Sequence, residues 1–366
     1  MVAGNGDLFF SNSINISNCM VERNFMTKHI LVIGAGSIGK RHARNFSSLG
    51  CTISILDTRE DRKEEARNLE NEGVDIASVS TDIEVVLKRF NFDGILICTP
   101  PHIHAQQIID ICKTTNIPIF SEKPLTTTLE DALKVQEAVE RGSNPFMLGY
   151  CWRAAEAIKK LGVLIKEGKI GKPLHANFTM AAYLPDWHPW EDYRDFFVSK
   201  RSWGGGALYE NHWLDLMLWW WGMPNELVAI CDKISGLDLE EGTDDNVDVI
   251  FSYDSGLRCT LHLDLYSRPH NKSIEIVGEK GTLSWDFRLN CIRYRINEDP
   301  AKFEKLWDFS HTKRNDMFLA EAQGFLCMID GKTEPTCGLE DGINVLKVIE
   351  WIRASAEMGI KIVPKS

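Results

Sequence analysis

The sequence predicts an α/β protein in two parts. The first is an N-terminal doubly wound parallel sheet; the second is a C-terminal α+β domain with a large, mostly antiparallel open sheet. Three observations lead there. Short apolar runs alternate with helical patterns from His29 to Leu148. Three glycines in G-x-G-x-x-G spacing sit where the first run turns into the first helix. From Glu226 to Tyr294 the apolar pattern switches to period two. Strand–helix alternation builds parallel sheets covered on both faces, and period two marks half-buried strands.

The bulk numbers fit this reading. A chain of 366 residues is long enough for about two domains. Its net charge of −11 argues against nucleic acid or an anionic membrane as the main partner. The ten cysteines include no C-x-x-C pair, so reduced, mostly buried thiols in a cytoplasmic protein are expected. No apolar run reaches the ~18 residues of a membrane span. Residues 1–27 are polar, without the basic start and apolar core of a secretion signal. They read as a mobile extension or the product of an upstream start, Met20 and Met26 being alternative starts.

Taken in order, Ile30 to Ile33 is a strand buried on both faces. Gly34, Gly36 and Gly39 follow, and Ile38, His42, Ala43 and Phe46 then recur at helical intervals. The first glycine permits the tight turn, the second lets a pyrophosphate approach the backbone, and the third lets helix and strand pack closely. The helix N-terminus, with Ser37 and Ile38, offers unpaired N–H groups and partial positive charge to the phosphates. Cys51 to Leu56 is a second strand ending in Asp57, 18 residues past Gly39. A carboxylate about 20 residues on grips the adenosine ribose. Asp57, with Thr58 and Arg59 beside it, therefore favours NAD; Arg59 leaves NADP as the alternative.

A charged helix spans Arg59 to Glu72, and another runs from Thr81-Asp82 to Arg89. Asp93 to Cys98 is a buried strand. Pro101 to Thr115 contains a helix, Ile117 to Phe120 is a short strand, Leu129 to Arg141 a helix, and Pro145 to Tyr150 a final strand. Ligands of parallel sheets sit beyond the carboxyl ends of the strands. Two of those ends are distinctive: Thr99-Pro100-Pro101-His102-Ile103-His104 and Ser121-Glu122-Lys123-Pro124.

Here the chain resembles the Gfo/Idh/MocA family of glucose-fructose oxidoreductase, inositol dehydrogenase and rhizopine-catabolism enzymes. The matching pieces are GAGSIGKRHA at 34–43, CTPPHIHA at 98–105, EKPLTTTLEDA at 122–132 and GKIGKP at 168–173. Gly204-Gly205-Gly206 with His212 and Asp215 extends the match. The resemblance implies a Rossmann domain and a catalytic lysine, Lys123, beside the nicotinamide. It also implies that Thr99, Pro100, His104 and Glu122 border the cofactor, and that the Lys123–Pro124 peptide is cis.

The second part opens with Tyr150, Trp152 and Arg153. A helix covers Glu156 to Glu167, and a strand Leu174 to Leu184. Residues 185–197, PDWHPWEDYRDFF, are dense in aromatics and acids. Such a loop suits a sugar-like ligand, aromatic faces meeting C–H surfaces and polar side chains meeting hydroxyls. Trp187, His188, Tyr193 and Arg194 are its substrate candidates, joined by Arg153. Gly204 to Trp221 leads into an apolar helix on which His212 and Asp215 share a face. By resemblance His212 transfers the proton. Many family members carry an acid four residues before this His; here the nearest is Glu210, two before, and the run from the last glycine is short. Glu210 and Asp215 complete the substrate set. Leu339 to Met358 is a closing helix.

The expected domains are thus 1–27, an extension; 28–149, the dinucleotide domain; 150–338, for substrate and oligomerisation; and 339–366, packing back toward the first domain. The expected activity is hydride transfer between NAD(P) and a secondary alcohol of a sugar, cyclitol or sugar derivative, with no metal. The resemblance implies a homodimer or homotetramer through the C-terminal sheet. Two other readings stand beside it: a non-catalytic NAD-responsive binding protein, and an NAD-assisted glycoside-cleaving enzyme.

Overall fold

The computed structural model describes residues 27–296 and 302–364. The expectation for residues 1–27 therefore lies, but for Thr27, outside the described residues. The chain divides into two compact units. One comprises the residues up to Cys151 together with Arg314–Ile343; the other comprises Trp152–Lys313 and the residues from Asn344 onward.

The first unit is a six-stranded, wholly parallel sheet in the order β3-β2-β1-β4-β5-β6. Its strands are β1 (His29–Ile33), β2 (Thr52–Leu56), β3 (Ile76–Ser80), β4 (Gly94–Ile97), β5 (Ile119–Glu122) and β6 (Phe146–Gly149). Between them run α1 (Ser37–Ser48), α2 (Glu60–Arg67), α3 (Ile83–Arg89), α4 (His104–Thr114) and α5 (Leu129–Gly142). Asp82 caps α3 by accepting the Glu84 and Val85 N–H groups, and Thr128 caps α5 through the Asp131 N–H. The order reverses at β1, so the ends of β1 and β4 flank a ligand crevice of the kind such sheets provide.

Two elements of this unit go beyond the sequence expectation. Strand β3 has no clear apolar run, since its residues are at most half-buried. Helix α8 (Arg314–Ile329) shows no apolar stripe because most of it is covered. Its Ala322, Phe325, Leu326 and Met328 join the core of Ile30, Val32, Phe46, Leu96 and Phe120. The Phe325 ring meets those of Phe46 and Phe120 at centroid distances of 6.1 and 5.7 Å. Residues 314–343 thus group with the dinucleotide unit, which differs from the expectation of a single domain over 150–338.

The second unit is an eight-stranded sheet in the order β14-β13-β12-β11-β7-β10-β9-β8. All neighbours are antiparallel except β7 and β10. Its strands are β7 (Pro173–Ala181), β8 (Glu226–Asp232), β9 (Asn246–Ser252), β10 (Arg258–Asp264), β11 (Asn271–Gly278), β12 (Gly281–Asp286), β13 (Cys291–Arg295) and β14 (Lys305–Asp308). Helices α6 (Glu156–Lys166) and α7 (His212–Trp221) cover its inner face. Trp213 of α7 donates its indole N–H to the Thr179 carbonyl of β7 at 2.6 Å. On β10 the period-two pattern is realised: Cys259, Leu261 and Leu263 are buried, while Arg258, Thr260 and His262 are not.

Helix α9 (Leu339–Met358) is divided between the units. Its Gly342 sits against Leu125 and Leu148, but Ser355 accepts the Ala229 N–H of β8 at 3.0 Å. Beyond it Ile362 bridges to Leu227. The helix thus contributes its first turn to one unit and its remainder to the other, where the expectation assigned 339–366 to one packing segment. Eight described cysteines are free thiols, seven of them buried. Among the described residues no helix is long and apolar enough to cross a membrane.

Candidate active site

The glycine turn is built as its spacing requires. Gly34 has φ +99° and donates its N–H to Leu56 O at 2.8 Å. A Cβ on Gly39 would stand 1.8 Å from the Gly34 carbonyl oxygen, so α1 can pass this close to β1 only as glycine. A Cβ on Gly36 would instead meet nothing within 4 Å. That open space, together with a glycine N-cap and no acid in the first turn of α1, leaves room and unpaired N–H groups for a phosphate. Ser37 is exposed and Ile38 half-buried at this mouth.

Asp57, at the end of β2, folds back onto the turn. Its Oδ2 accepts the Ala35 N–H at 2.7 Å and its Oδ1 the Arg59 N–H at 2.9 Å. The carboxylate is thereby fixed at the rim of the crevice with lone pairs left for ribose hydroxyls. The Arg59 guanidinium is turned to Asp61, with Nε 3.1 Å from Oδ1. Thr58 is exposed beside it. The residues present fit a dinucleotide whose ribose is held by a carboxylate, which is NAD.

At the end of β4 Thr99 is half-buried and Pro100 exposed, and the Thr99 hydroxyl donates to Gln107 at 2.6 Å. At the end of β5 Glu122 and Lys123 are half-buried, and the Lys123–Pro124 peptide is cis. His104 is 0% exposed, with Nε2 2.8 Å from Thr99 O and Nδ1 3.0 Å from Pro124 O. Burial lowers its pKa. An imidazole with no exposed surface ties the ends of β4 and β5 together through those two carbonyls.

In the second unit His212 opens α7 and is 7% exposed, with Asn211 as N-cap. Glu210 is half-buried in the turn just before. Arg153 and Asp215 do not fit the substrate role given to them. They form a bidentate pair, Nε to Oδ2 at 2.9 Å and Nη2 to Oδ1 at 2.6 Å, and are only 5% and 1% exposed. The i, i+3 spacing does put Asp215 on the His212 side of α7. There the carboxylate meets a buried guanidinium, and the pair anchors the helix.

The 185–197 segment is a chain of short 3₁₀ turns. His188 packs edge-on against Trp190 and Phe196 at 5.3 and 5.0 Å, and Trp187 is half-buried. The Tyr193 hydroxyl accepts the Asp238 N–H at 3.0 Å. Arg194 is exposed and gripped by Asp192, whose carboxyl it holds down to about 2.

Two participants were missed. Asp244, 5% exposed, accepts the Leu208 N–H at 2.8 Å, and its carbonyl accepts that of Ala207 at 2.9 Å. It braces the turn that leads into His212. His42 bonds Glu122 at 2.7 Å, beside the buried Glu321. His42 lies three residues past Gly39, the one signal that could have marked it.

The chain is similar to known proteins along most of its length. Residues 28–150 match the family described as "Oxidoreductase family, NAD-binding Rossmann fold", and residues 158–284 match the "GFO/IDH/MocA C-terminal domain". The myo-inositol 2-dehydrogenase of Thermotoga maritima is 26% identical, over 85% of this chain and 91% of its own. The scyllo-inositol 2-dehydrogenase (NAD(+)) of Bacillus subtilis is 25% identical, over 86% and 90%. A solved levoglucosan dehydrogenase, in complex with NADH and levoglucosan, has the same fold. Its TM-score is 0.81 at 19% identity, covering 93% of this chain and 100% of that one. The turn, its carboxylate and the family match define an oxidoreductase with an NAD-binding Rossmann domain. The chain belongs to the Gfo/Idh/MocA family.

Proposed function

We propose that this oxidoreductase acts on a secondary alcohol of a sugar, cyclitol or sugar derivative, with Lys123 and His212 as its catalytic pair. The observation that carries the reading is Lys123 itself: a half-buried lysine at the carboxyl end of β5, in the sheet that bears the glycine turn. The names of the relatives support the substrate class, since both are inositol 2-dehydrogenases. When bound, NAD⁺ supplies the hydride acceptor. His212 takes the hydroxyl proton, and the Lys123 ammonium stabilises the negative charge that develops on that oxygen. Trp187, His188 and Tyr193 supply aromatic surface for the C–H faces of the substrate. Glu210 is the acid partner of His212 in this reading.

The test is turnover. NADH production on a panel of inositols and sugars identifies the substrate. On it, Lys123→Ala and His212→Ala each slow kcat by about 10²–10⁴ while NADH binding by His212→Ala is kept. Full turnover by both variants refutes the assignment. NADH binding with no turnover on any alcohol points instead to a sensor, and release of a reducing sugar without net NADH to a glycoside-cleaving enzyme.

The proposed setting is a cytoplasmic homodimer or homotetramer. The exposed Val228, Ile230 and Ile250 on β8 and β9 support association through the outer face of the second sheet. Light scattering on Ile230→Glu reads this directly, with a smaller mass expected.

A further inference from the structure

Beneath the strand end that carries Lys123, α1, β5 and α8 bring three titratable side chains together. One ligand atom each of His42, Glu122 and Glu321 lies within 4.8 Å of the others. The surroundings are apolar: the rings of Phe120, Phe318 and Phe46 stand 5.1, 6.2 and 6.4 Å from the His42 ring. His42 is 0% exposed and Glu321 3%.

The two carboxyls are treated differently. Glu122 accepts from His42 Nε2 at 2.7 Å through Oε1, and from the Lys123 N–H at 3.3 Å through Oε2. Glu321 has no such donors. Its Oε2 is buried with no hydrogen-bond partner among the described residues, and the same holds for His42 Nδ1. Other ionisable groups nearby are Arg41 on α1, Arg314 on α8, His104 at the start of α4, the Cys151 thiol after β6 and the Cys98 thiol at the end of β4. Arg41 faces the Phe318 ring at 4.6 Å and bears electrostatically on Glu122. Cys98 feels both carboxyls. Two carboxylates in one apolar pocket cannot both ionise cheaply, and the one without donors keeps the proton. A neutral imidazole that donates from Nε2 to Glu122 presents a bare acceptor at Nδ1.

We propose that Glu321 holds a proton in the working enzyme and that neutral Glu321, with His42, is a positioning device that fixes Glu122 and the Lys123 main chain against the cofactor. This rests on the reading that Lys123 lies beside the nicotinamide. Burial, with the charge of Glu122 added, pushes the Glu321 carboxyl well above its ordinary range. Proton loss at alkaline pH would place a second negative charge behind Glu122 and loosen the strand end.

The experiment is NADH affinity against pH, by fluorescence titration of the full chain. Wild type weakens by about fivefold to tenfold as pH rises into the range where Glu321 ionises, the effect of one buried hydrogen bond. Glu321→Gln, which mimics the neutral acid, restores neutral-pH affinity and gives a flat profile. Glu321→Ala is weak throughout. The infrared carbonyl band of a buried protonated carboxyl is present in wild type and absent from Glu321→Gln, which decides the matter even if the alanine variant does not fold.

Three outcomes overturn the proposal: a flat wild-type profile, Glu321→Gln as weak as Glu321→Ala, or a stoichiometric divalent cation in wild type that Glu321→Gln lacks. Because binding is read without turnover, active Lys123→Ala and His212→Ala variants would sink the catalytic assignment and leave this profile intact.

Discussion

Each unit contains a cluster of three glycines, and the two clusters do opposite things. In the first, Gly34 and Gly39 let strand and helix touch, while Gly36 faces open space. The second, Gly204 to Gly206, is hemmed in by its own protein. A Cβ on Gly205 would stand 2.2, 2.5 and 2.7 Å from three carbonyl oxygens, and one on Gly206 would meet the Asp244 carboxylate at 2.5 Å. One cluster makes a cradle with an open mouth. The other makes a closed, braced turn that leads into His212. Glycine thus signals close approach in both places; only the surroundings say whether a ligand or the protein's own backbone makes the approach.

This contrast can be broken by substitution. The largest effect is expected from Gly39→Ala, whose Cβ would overlap a main-chain oxygen that cannot yield. A stability loss of about 3 kcal/mol or more, read by denaturant unfolding, is expected. Gly205→Ala comes next, at about 1–3 kcal/mol, with loss of turnover but with NADH binding kept. Gly36→Val should leave stability nearly unchanged and weaken NADH binding about tenfold or more, because only the ligand's space is filled. If Gly36→Val binds NADH normally, the cradle has been misread.

The smallest effect concerns the outer face of the second sheet. Its bond to Asp264, and then Asp248, raises His262 to about 9. The unfolded value is about 6.5, so the stabilisation is complete below that and fades as pH rises through about 9. Glu321 has the same sign from the opposite cause: its raised carboxyl favours folding at low pH and loses that advantage with rising pH. His262→Gln should flatten the part of the Tm profile that falls between about pH 6.5 and 9, and Glu321→Gln the rest. An unchanged profile in His262→Gln would show that its two carboxylates do not hold the proton.

Much of the site was legible because its residues are adjacent in sequence. The glycine turn, Asp57 at the next strand end and the Glu122-Lys123-Pro124 step each lie within one strand–turn–helix passage, where spacing alone fixes geometry. Arg153 and Asp215 were misjudged because polarity does not reveal burial. An arginine 62 residues from an aspartate carries no mark that the two will neutralise each other inside the protein. The burial of His104 was hidden in the same way: its position beside the strand ends was legible, its complete enclosure was not.

By itself, then, the sequence determined the alternation that makes the parallel sheet, the period-two strands, the cofactor turn and its carboxylate. These follow from local periodicity and backbone stereochemistry. Only the tertiary structure decided that α8 returns to complete the first unit's core and that Glu321 on it lands beside His42 and Glu122. It also decided that Asp244 props the turn before His212. Such pairings join segments up to 279 residues apart, and they are chosen by which apolar faces bury each other, a competition no local pattern encodes.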